Sequence, residues 1–321
     1  MIQGFWAVLL NHLSLAVAGA GVLLLMQYLT LPGLQRWLPQ QPPRVRKYGL
    51  LAWAALPWIW LLFYSVFVLA VEGSRHWFGE PPAATPLHWH HRSWLMLDSW
   101  HAMALYLFAA LLGVGLMRRW RRLRQARASL ASLVSLAGGQ SGPVRVLETD
   151  GLHAFSAGFL HPVSYISRGL LKHLTAQEQR AVLLHEEAHC RRRDNLLHQG
   201  FCFCTSLFPT RLRQPLQAEL SLATEQLADA YAAARMPSEE VAATLLKVAR
   251  LQRAQSQPEL TLAFFQRQQL SHRVESLLQP ERSGLSLFFP VLALLTLALF
   301  LGLSMVGLDG LHHAVDAFLI H

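Results

Sequence analysis

Four apolar segments, each long enough to cross a bilayer as a helix, constrain this chain more than any other feature. A membrane-spanning helix needs about 20 largely apolar residues. The composition agrees, since 53% of the residues are hydrophobic and only 15% are charged. The first segment has no Lys or Arg before it and exceeds the apolar core of a signal peptide, so we expect an uncleaved anchor. The predicted spans run from about Phe5 to Leu31, Gly49 to Val71, Trp94 to Met117 and Leu285 to Gly307.

Basic residues are distributed unevenly between these spans. The first loop and the segment after the third span are rich in Lys and Arg, whereas the second loop and the C-terminal tail are poor in them. Because positively charged loops stay in the cytoplasm, we expect a bacterial inner-membrane protein with both termini outside and residues 118–284 in the cytoplasm. The basic residues are Arg36, Arg44, Arg46 and Lys47 in the first loop and Arg118, Arg119, Arg121, Arg122, Arg124 and Arg127 after the third span.

The arginine run that begins at Arg118 has two interpretations. It is typical of a nucleic-acid contact, and equally of a segment that anchors to membrane lipid. Because it follows directly after a predicted span, we favour contact with lipid and expect no direct nucleic-acid binding.

The sequence His185-Glu186-Glu187-Ala188-His189 predicts a zinc site on a helix. Two histidines four residues apart lie on one helix face and can bind a single Zn²⁺. Glu186 follows the first histidine and is placed to act as a general base toward water at the metal. A capping box at Thr175–Glu178 predicts where this helix begins.

A zinc hydrolase of this type needs a third protein ligand and leaves the fourth position to water. Residues 219–231 are predicted to form a helix with three acids. Glu225 and Asp229 lie four residues apart and would repel each other unless a cation or an imidazole N–H is near. We therefore predict Glu225 as the third ligand and Asp229 as the residue that holds the outer ring nitrogen of His185. Glu219 is the alternative third ligand.

The region after the third span is predicted to be an α+β domain. A helix continues from that span to about residue 136, and β-like runs follow at 144–147, 154–159 and 163–166. Helices are then expected at about 176–193, 219–231, 238–255 and 270–278, with residues 196–208 forming a buried or membrane-surface helix. The three cysteines, Cys190, Cys202 and Cys204, are expected to be reduced thiols.

These patterns together predict a mainly α membrane protein with four transmembrane helices and a cytoplasmic zincin-like metallopeptidase domain between spans three and four. The expected divisions are a three-helix membrane domain at 1–117, the peptidase domain at 118–284, and the fourth span with a short external tail at 285–321.

Residues 155–158 are candidates for binding an extended substrate. An exposed edge strand beside a zinc helix can hold a peptide through main-chain hydrogen bonds, and a glycine permits close approach of the backbone. The alternative is a strand with a purely structural role. The residues are Phe155, Ser156, Ala157 and Gly158.

Peptide hydrolysis also requires a donor to the oxyanion that forms during attack. The sequence offers three candidates, which are His272, Arg273 and Tyr231.

These residues resemble the BlaR/MecR-type membrane zinc metallopeptidases. The resemblance rests on Phe155-Ser-Ala-Gly158, on the capping box and zinc motif, and most specifically on the Arg-Arg-Arg193-Asp194-Asn sequence that follows. The segment Glu225-Gln-Leu-Ala-Asp229 matches the third-ligand segment of that family. The resemblance covers most of residues 150–235 and implies a cytoplasmic peptidase domain whose substrate is a DNA-binding repressor.

The chain departs from the best-known members of that family at its C-terminal end. Those members carry a penicillin-binding sensor domain outside the membrane after the fourth span. Here the sequence ends at His321 and has no acylatable Ser-x-x-Lys sequence. We therefore expect a short member without the sensor, which does not bind β-lactams itself.

Two other functions fit the same motifs. A membrane quality-control peptidase of the HtpX type shares the two-histidine helix, the Glu-x-x-Ala-Asp segment and a multi-span frame. A non-catalytic transducer, in which zinc only stabilises the domain, fits less well because it has no need of Glu186.

A set of histidines is predicted to lie outside the membrane. We expect ordinary surface histidines among interfacial tryptophans, and the alternative is a binding site for a transition metal as an input signal. The residues are His76, His88, His90, His91, His312 and His313.

Overall fold

The computed structural model describes residues 1–78, 94–137, 142–255 and 260–279. The predicted fourth span, the external histidines at 88, 90, 91, 312 and 313, and the side chain of His76 lie outside the described part. The described chain divides into two compact units, and most of it is helical. The membrane-like unit comprises residues 1–37, 52–78 and 94–115, and the other, the α+β unit, comprises residues 38–51, 116–137, 142–255 and 260–279.

Long apolar helices dominate the membrane-like unit. Three helices of the described chain are long and apolar enough to cross a membrane, which confirms the prediction of apolar helices in the first three predicted regions. The third helix begins later than predicted because Trp94 and Leu95 form a short strand instead. The elements are β1 (Ile2–Gln3), α1 (Phe5–Trp37), α2 (Pro43–Phe78), β2 (Trp94–Leu95) and α3 (Trp100–Val134), of which α2 and α3 also contribute residues to the α+β unit.

Helices α1 and α2 pack through one tryptophan. The Trp60 ring fills the space beside Gly19, where a Cβ would lie 2.6 Å from Trp60 Nε1. That nitrogen donates to the Ala16 carbonyl oxygen at 3.0 Å. A residue without a side chain at position 19 therefore allows the indole both to pack against α1 and to satisfy its N–H group.

The α+β unit combines helices with a small sheet. A 3-10 turn at Ser135–Ala137 ends α3, and the remaining elements follow in chain order. They are β3 (Val144–Leu147), β4 (Ala154–Ala157), β5 (Val163–Ser167), α4 (Arg168–His173), α5 (Ala176–Arg192), α6 (Asp194–Cys204), α7 (Thr210–Ala233), α8 (Ser238–Gln255) and α9 (Leu260–Leu278).

The sheet of the α+β unit has three strands in the order β3-β5-β4. Strand β5 pairs in parallel with β3 and antiparallel with β4, with Phe155 opposite Tyr165. The two rings stack with centroids 5.3 Å apart. Strand β4 is thus an edge of this sheet, and it packs against α5.

Helix α5 begins and ends where its sequence dictates. Thr175 Oγ1 accepts from the Glu178 backbone N–H at 3.3 Å, and the Glu178 side chain accepts from the Thr175 backbone N–H at 2.7 Å. The predicted capping box is therefore present. Arg193 ends the helix in the left-handed conformation, with φ 50° and ψ 45°. The chain then turns directly into α6, which begins at Asp194.

A hydrophobic core joins the sheet to helices α4, α5 and α8. Apolar side chains at helical spacing on α5 and α8 pack over the buried face of β5. This packing fixes α5 against the sheet, and α5 in turn packs against α7. The cluster comprises Leu152, Ile166, Leu170 and Leu174, with Val182, Leu183, Val248 and Leu251 against it.

Several predicted boundaries shift in the structure. The apolar stretch predicted at 196–208 forms α6 at Asp194–Cys204, because Asp194 begins the helix immediately after the turn at Arg193. The last helix begins ten residues earlier than the predicted 270. Strand β4 ends at Ala157, because Gly158 has φ +109° and turns the chain. The three cysteines are free thiols.

Gly169 provides a test of how the loop at residues 149–151 packs on α4. A Cβ at Gly169 would lie 2.3 Å from the Asp150 carbonyl oxygen, a backbone atom, while a Cβ at Gly200 would meet nothing within 4 Å. We expect Gly169→Ala to destabilise the protein by about 1–3 kcal/mol, as overpacking does. Gly200→Ala, in the exposed interior of α6, should stabilise it by about 0.5–1 kcal/mol. Melting temperatures of both variants in detergent check this, and equal shifts would contradict the packing.

Candidate metal centre

Helices α5 and α7 bring together two histidines and one glutamate. His185 and His189 lie one turn apart on α5, and Glu225 lies on α7. The two Nε2 atoms are 3.1 Å apart. Glu225 Oε2 lies 3.4 Å from His185 Nε2, and Glu225 Oε1 lies 3.6 Å from His189 Nε2. One ligand atom from each residue therefore points at a common position.

The spacing of these atoms fits zinc. Two ligands at zinc–nitrogen distances of 2.0–2.1 Å in a tetrahedron are separated by about 3.3 Å. The observed separations of 3.1, 3.4 and 3.6 Å bracket that value. Two imidazoles and one carboxylate are also a ligand set that zinc hydrolases use, with the fourth position open. The three residues thus fit one Zn²⁺.

Asp229 orients the first histidine. Its Oδ1 lies 2.9 Å from His185 Nδ1, and its carboxylate is only 3% exposed. Because a carboxylate only accepts, Nδ1–H of His185 donates and the Nε2 lone pair is left for the metal. Arg273 from α9 donates two hydrogen bonds of 2.8 Å to the same carboxylate. Arg273 Nη1 also lies 3.1 Å from Glu225 Oε2, so one guanidinium contacts two acids of the site.

Asp194 orients the second histidine in the same way. Its Oδ2 lies 2.8 Å from His189 Nδ1, and its carboxylate is 5% exposed. Arg192 approaches that oxygen at 3.3 Å, and the ammonium of Lys47, near the beginning of α2, contacts Oδ1. Each histidine of the pair therefore has its own buried aspartate, and each aspartate has its own cations.

The sequence prediction did not include the roles of Asp194 and Lys47. The sequence pattern identifies Asp194 only as part of the segment that follows the zinc helix, and Lys47 only as one of the basic residues that predict orientation. An acid five residues after His189 and beyond the helix end was the available signal for Asp194. No local signal pairs residue 47 with residue 194, because their contact joins distant parts of the chain.

The charges of the cluster favour a cation at its centre. Burial opposes a charged imidazole at His185, but hydrogen bonds to Asp229 and Glu225 outweigh it and raise the pKa to about 10. Burial also opposes a charged Glu225, yet the contacts with His185 and Arg273 hold its pKa well below the usual range. The acids thus draw positive charge to the point where the two Nε2 atoms meet, which is the position that a metal ion would occupy.

Glu186 and Glu187 are neighbours in opposite environments. Glu186 is 7% exposed, and burial raises the pKa of its carboxyl. The Glu187 side chain is 41% exposed, and it accepts from Arg191 at 2.7 Å and from the Tyr231 hydroxyl at 3.2 Å. Of the two acids, Glu186 is therefore the one with the environment of a general base.

Of the remaining predicted residues, some contact residues of the site and others lie apart from it. Glu219, the alternative third ligand, pairs with Arg46 at 2.6 Å and is not part of the three-residue cluster. The Tyr231 hydroxyl contacts Glu187. The His272 ring lies 3.9 Å from Glu275, and its backbone carbonyl accepts from Gln226 at 3.1 Å. Arg273, one of the three candidate oxyanion donors, donates hydrogen bonds to Asp229 and forms an ion pair with Glu225.

The candidate substrate strand lies beside the zinc helix. Ser167 N–H donates to the His153 carbonyl, and alternation along an antiparallel strand therefore turns the main-chain groups of Ala154 and Ser156 away from β5. The Asn195 amide of α6 donates to the Ser156 carbonyl at 2.9 Å, which agrees with that direction. A Cβ at Gly158 would lie 2.8 Å from the His161 carbonyl oxygen, so the turn after the strand requires glycine.

Comparison with known proteins identifies one family. The model of peptidase family M48 matches residues 117–281, just over half of the chain. The match includes α5, α7 and α9. It therefore covers the three candidate ligands, and of the residues that support them it leaves out Lys47. No curated protein and no solved structure shows significant similarity to the chain.

Replacing Asp229 tests the histidine–aspartate pairing. We expect Asp229→Asn to weaken Zn²⁺ binding by about 10- to 100-fold, because outer partners of metal-bound histidines have effects of this size. Competition with a chromophoric chelator measures the affinity in the purified full chain. The control is Asp150→Asn, which removes a carboxylate that is 90% exposed. Equal affinities for Asp229→Asn and the wild type would show that Asp229 does not act on the metal.

Proposed function

The chain belongs to peptidase family M48, a family of zinc metallopeptidases, and on that premise we propose that it is a membrane-bound zinc endopeptidase. Its substrate is a cytoplasmic protein, specifically a DNA-binding transcriptional repressor. The enzyme uses one Zn²⁺ held by His185, His189 and Glu225, with Glu186 as the catalytic base.

One observation carries the catalytic part of the proposal. Among the residues that the structure describes, the cluster offers three ligand atoms, whereas a fully enclosed structural zinc site has four protein ligands. This set supports a site whose fourth position is open to water or substrate. A buried acid, Glu186, directly follows the first ligand. A site that served only to hold the domain together would have no use for either feature.

The protein groups divide the chemistry of peptide hydrolysis between them. Zinc, when bound, would polarise the substrate carbonyl and make water more acidic. Glu186 takes a proton from the attacking water and then delivers it to the departing amine. Asp229 and Asp194 keep each imidazole in the tautomer whose Nε2 faces inward. Arg273 contacts both Asp229 and Glu225 and so fixes the position of one carboxylate relative to the other.

Strand β4 supports binding of an extended peptide. Its position at the sheet edge next to α5 lets a substrate add as a further strand, with main-chain hydrogen bonds to Ala154 and Ser156. Such binding depends more on the main chain of the substrate than on its side chains. The substrate must therefore present an extended segment, which a flexible linker in a repressor provides.

Three apolar helices support a membrane protein. The basic residues of the first loop and of the segment after Arg118 are the support for a peptidase domain in the cytoplasm of a bacterium, on the inner membrane. A cytoplasmic site has access to a DNA-binding protein, and membrane lipid is the partner of the arginine run.

The repressor as substrate rests on the resemblance to BlaR/MecR-type peptidases. The Arg193-Asp194-Asn sequence after the zinc helix is the part that favours this group over quality-control peptidases of the HtpX type. In the structure Arg193 provides the turn between α5 and α6, and Asp194 contacts His189. These roles give a physical reason for the segment.

A pair of adjacent substitutions tests the proposal. Glu186→Gln should reduce proteolysis by about 100- to 10,000-fold, the range for loss of a general base, while Zn²⁺ binding persists. Glu187→Gln is the matched control, since it makes the same change one residue away on the exposed side. Proteome-wide mapping of new protein N-termini, in cells with the wild type or either variant, measures the effect.

The outcomes separate the functions. One cut in a DNA-binding repressor, present with the wild type and Glu187→Gln and absent with Glu186→Gln, supports the proposal. Many cuts in misfolded membrane proteins would indicate quality control instead. If the cellular response that the wild type supports survives Glu186→Gln, the catalytic function is wrong and zinc only stabilises the domain.

A further inference from the structure

Two buried cations of the α+β unit lie near the beginning of α2. Residues 38–51 belong to the α+β unit, although α2 itself is one of the candidate membrane spans. Arg46 is 6% exposed and Lys47 is 1% exposed. Lysine is almost never buried to this extent unless it is paired. The partners of these two residues therefore explain why they are there.

The partner of Lys47 is the aspartate that orients His189. The Lys47 ammonium contacts Asp194 Oδ1, and the other carboxylate oxygen, Oδ2, lies 2.8 Å from His189 Nδ1. Only one side chain thus separates Lys47 from a predicted zinc ligand. The three groups form a buried chain of ammonium, carboxylate and imidazole.

Arg46 reaches the other ligand-bearing helix. Its guanidinium pairs with Glu219 at 2.6 Å and also contacts the side-chain oxygen of Gln226, the residue next to Glu225. Gln226 in turn donates to the backbone carbonyl of His272 at 3.1 Å, which ties α7 to α9. Consecutive residues of α2 therefore contact both α6 and α7.

We propose that Lys47 is a positioning residue of the zinc centre, which acts through Asp194 to fix the orientation of His189. The proposal rests on the metal site described above. A buried ion pair is often no more stable than apolar residues of the same volume, so stability alone gives little reason for a lysine at this place. A cation that holds the Asp194 carboxylate in place against Nδ1 of His189 gives a specific reason.

The test measures metal binding by Lys47→Met in the purified full chain, with Zn²⁺ affinity from chelator competition and the visible absorption of bound Co²⁺. We expect about a 10-fold loss of Zn²⁺ affinity, the lower end of the range for outer partners, and an altered Co²⁺ spectrum. Lys172→Met is the matched control. Lys172 is 62% exposed and pairs with exposed Asp150, so affinity should change by less than about twofold.

A double-variant cycle keeps the test decisive if Lys47→Met does not fold because Asp194 is left unpaired. Lys47→Met/Asp194→Asn removes both charges together, which buried pairs tolerate better than loss of one partner. If Lys47 acts through Asp194, the double variant binds Zn²⁺ as Asp194→Asn does. A further loss of about 10-fold in the double variant would overturn the proposal.

Failure of this inference differs from failure of the proposed function. Wild-type chain that binds Zn²⁺, together with Lys47→Met that binds it equally well and with the same Co²⁺ spectrum, overturns only the role of Lys47. Wild-type chain that binds no Zn²⁺ overturns the metal site and this inference with it.

Discussion

The structure of the α+β unit depends on two buried carboxylates that fix the outer nitrogens of two histidines. Asp229 holds His185, and Asp194 holds His189, in each case at hydrogen-bond distance from Nδ1. Both Nε2 atoms are thereby turned toward Glu225. Buried carboxylates are costly unless they are paired, so each needs a cation. Arg273 pairs with Asp229 and Lys47 pairs with Asp194, both from distant parts of the chain, while Arg192 lies two residues from Asp194.

This requirement explains why so many elements converge on α5. The helix itself supplies both histidines and Glu186, but α7 supplies Glu225 and Asp229, α9 supplies Arg273, and the beginning of α2 supplies Lys47. The left-handed turn at Arg193 is part of the same arrangement, because it ends α5 and places Asp194 back beside His189. The site is thus stabilised by ionic contacts among these helices, which the hydrophobic core packs close to one another.

Sequence predicts what is local. Spacing of four residues identified the pair His185 and His189, and the same spacing led to Glu225 and Asp229 as ligand and supporting acid, which the structure places together. The capping box predicts where α5 begins, and the β-like runs predict the three strands. The contacts of Lys47 and Arg273 were not predictable, since neither residue carries a local pattern that indicates its partner. Arg273 is one of three candidate oxyanion donors from sequence, and the structure adds its bidentate contact with Asp229.

X-ray absorption at the zinc edge of the purified chain tests the central claim most directly. The account predicts one zinc per chain with only nitrogen and oxygen neighbours at about 2.0–2.2 Å, including the scattering pattern of two imidazoles. It also predicts the loss of that spectrum when Glu225 and His189 are both replaced by alanine. Sulfur neighbours at about 2.3 Å, which would place zinc on the cysteines, or the absence of bound zinc, would contradict it.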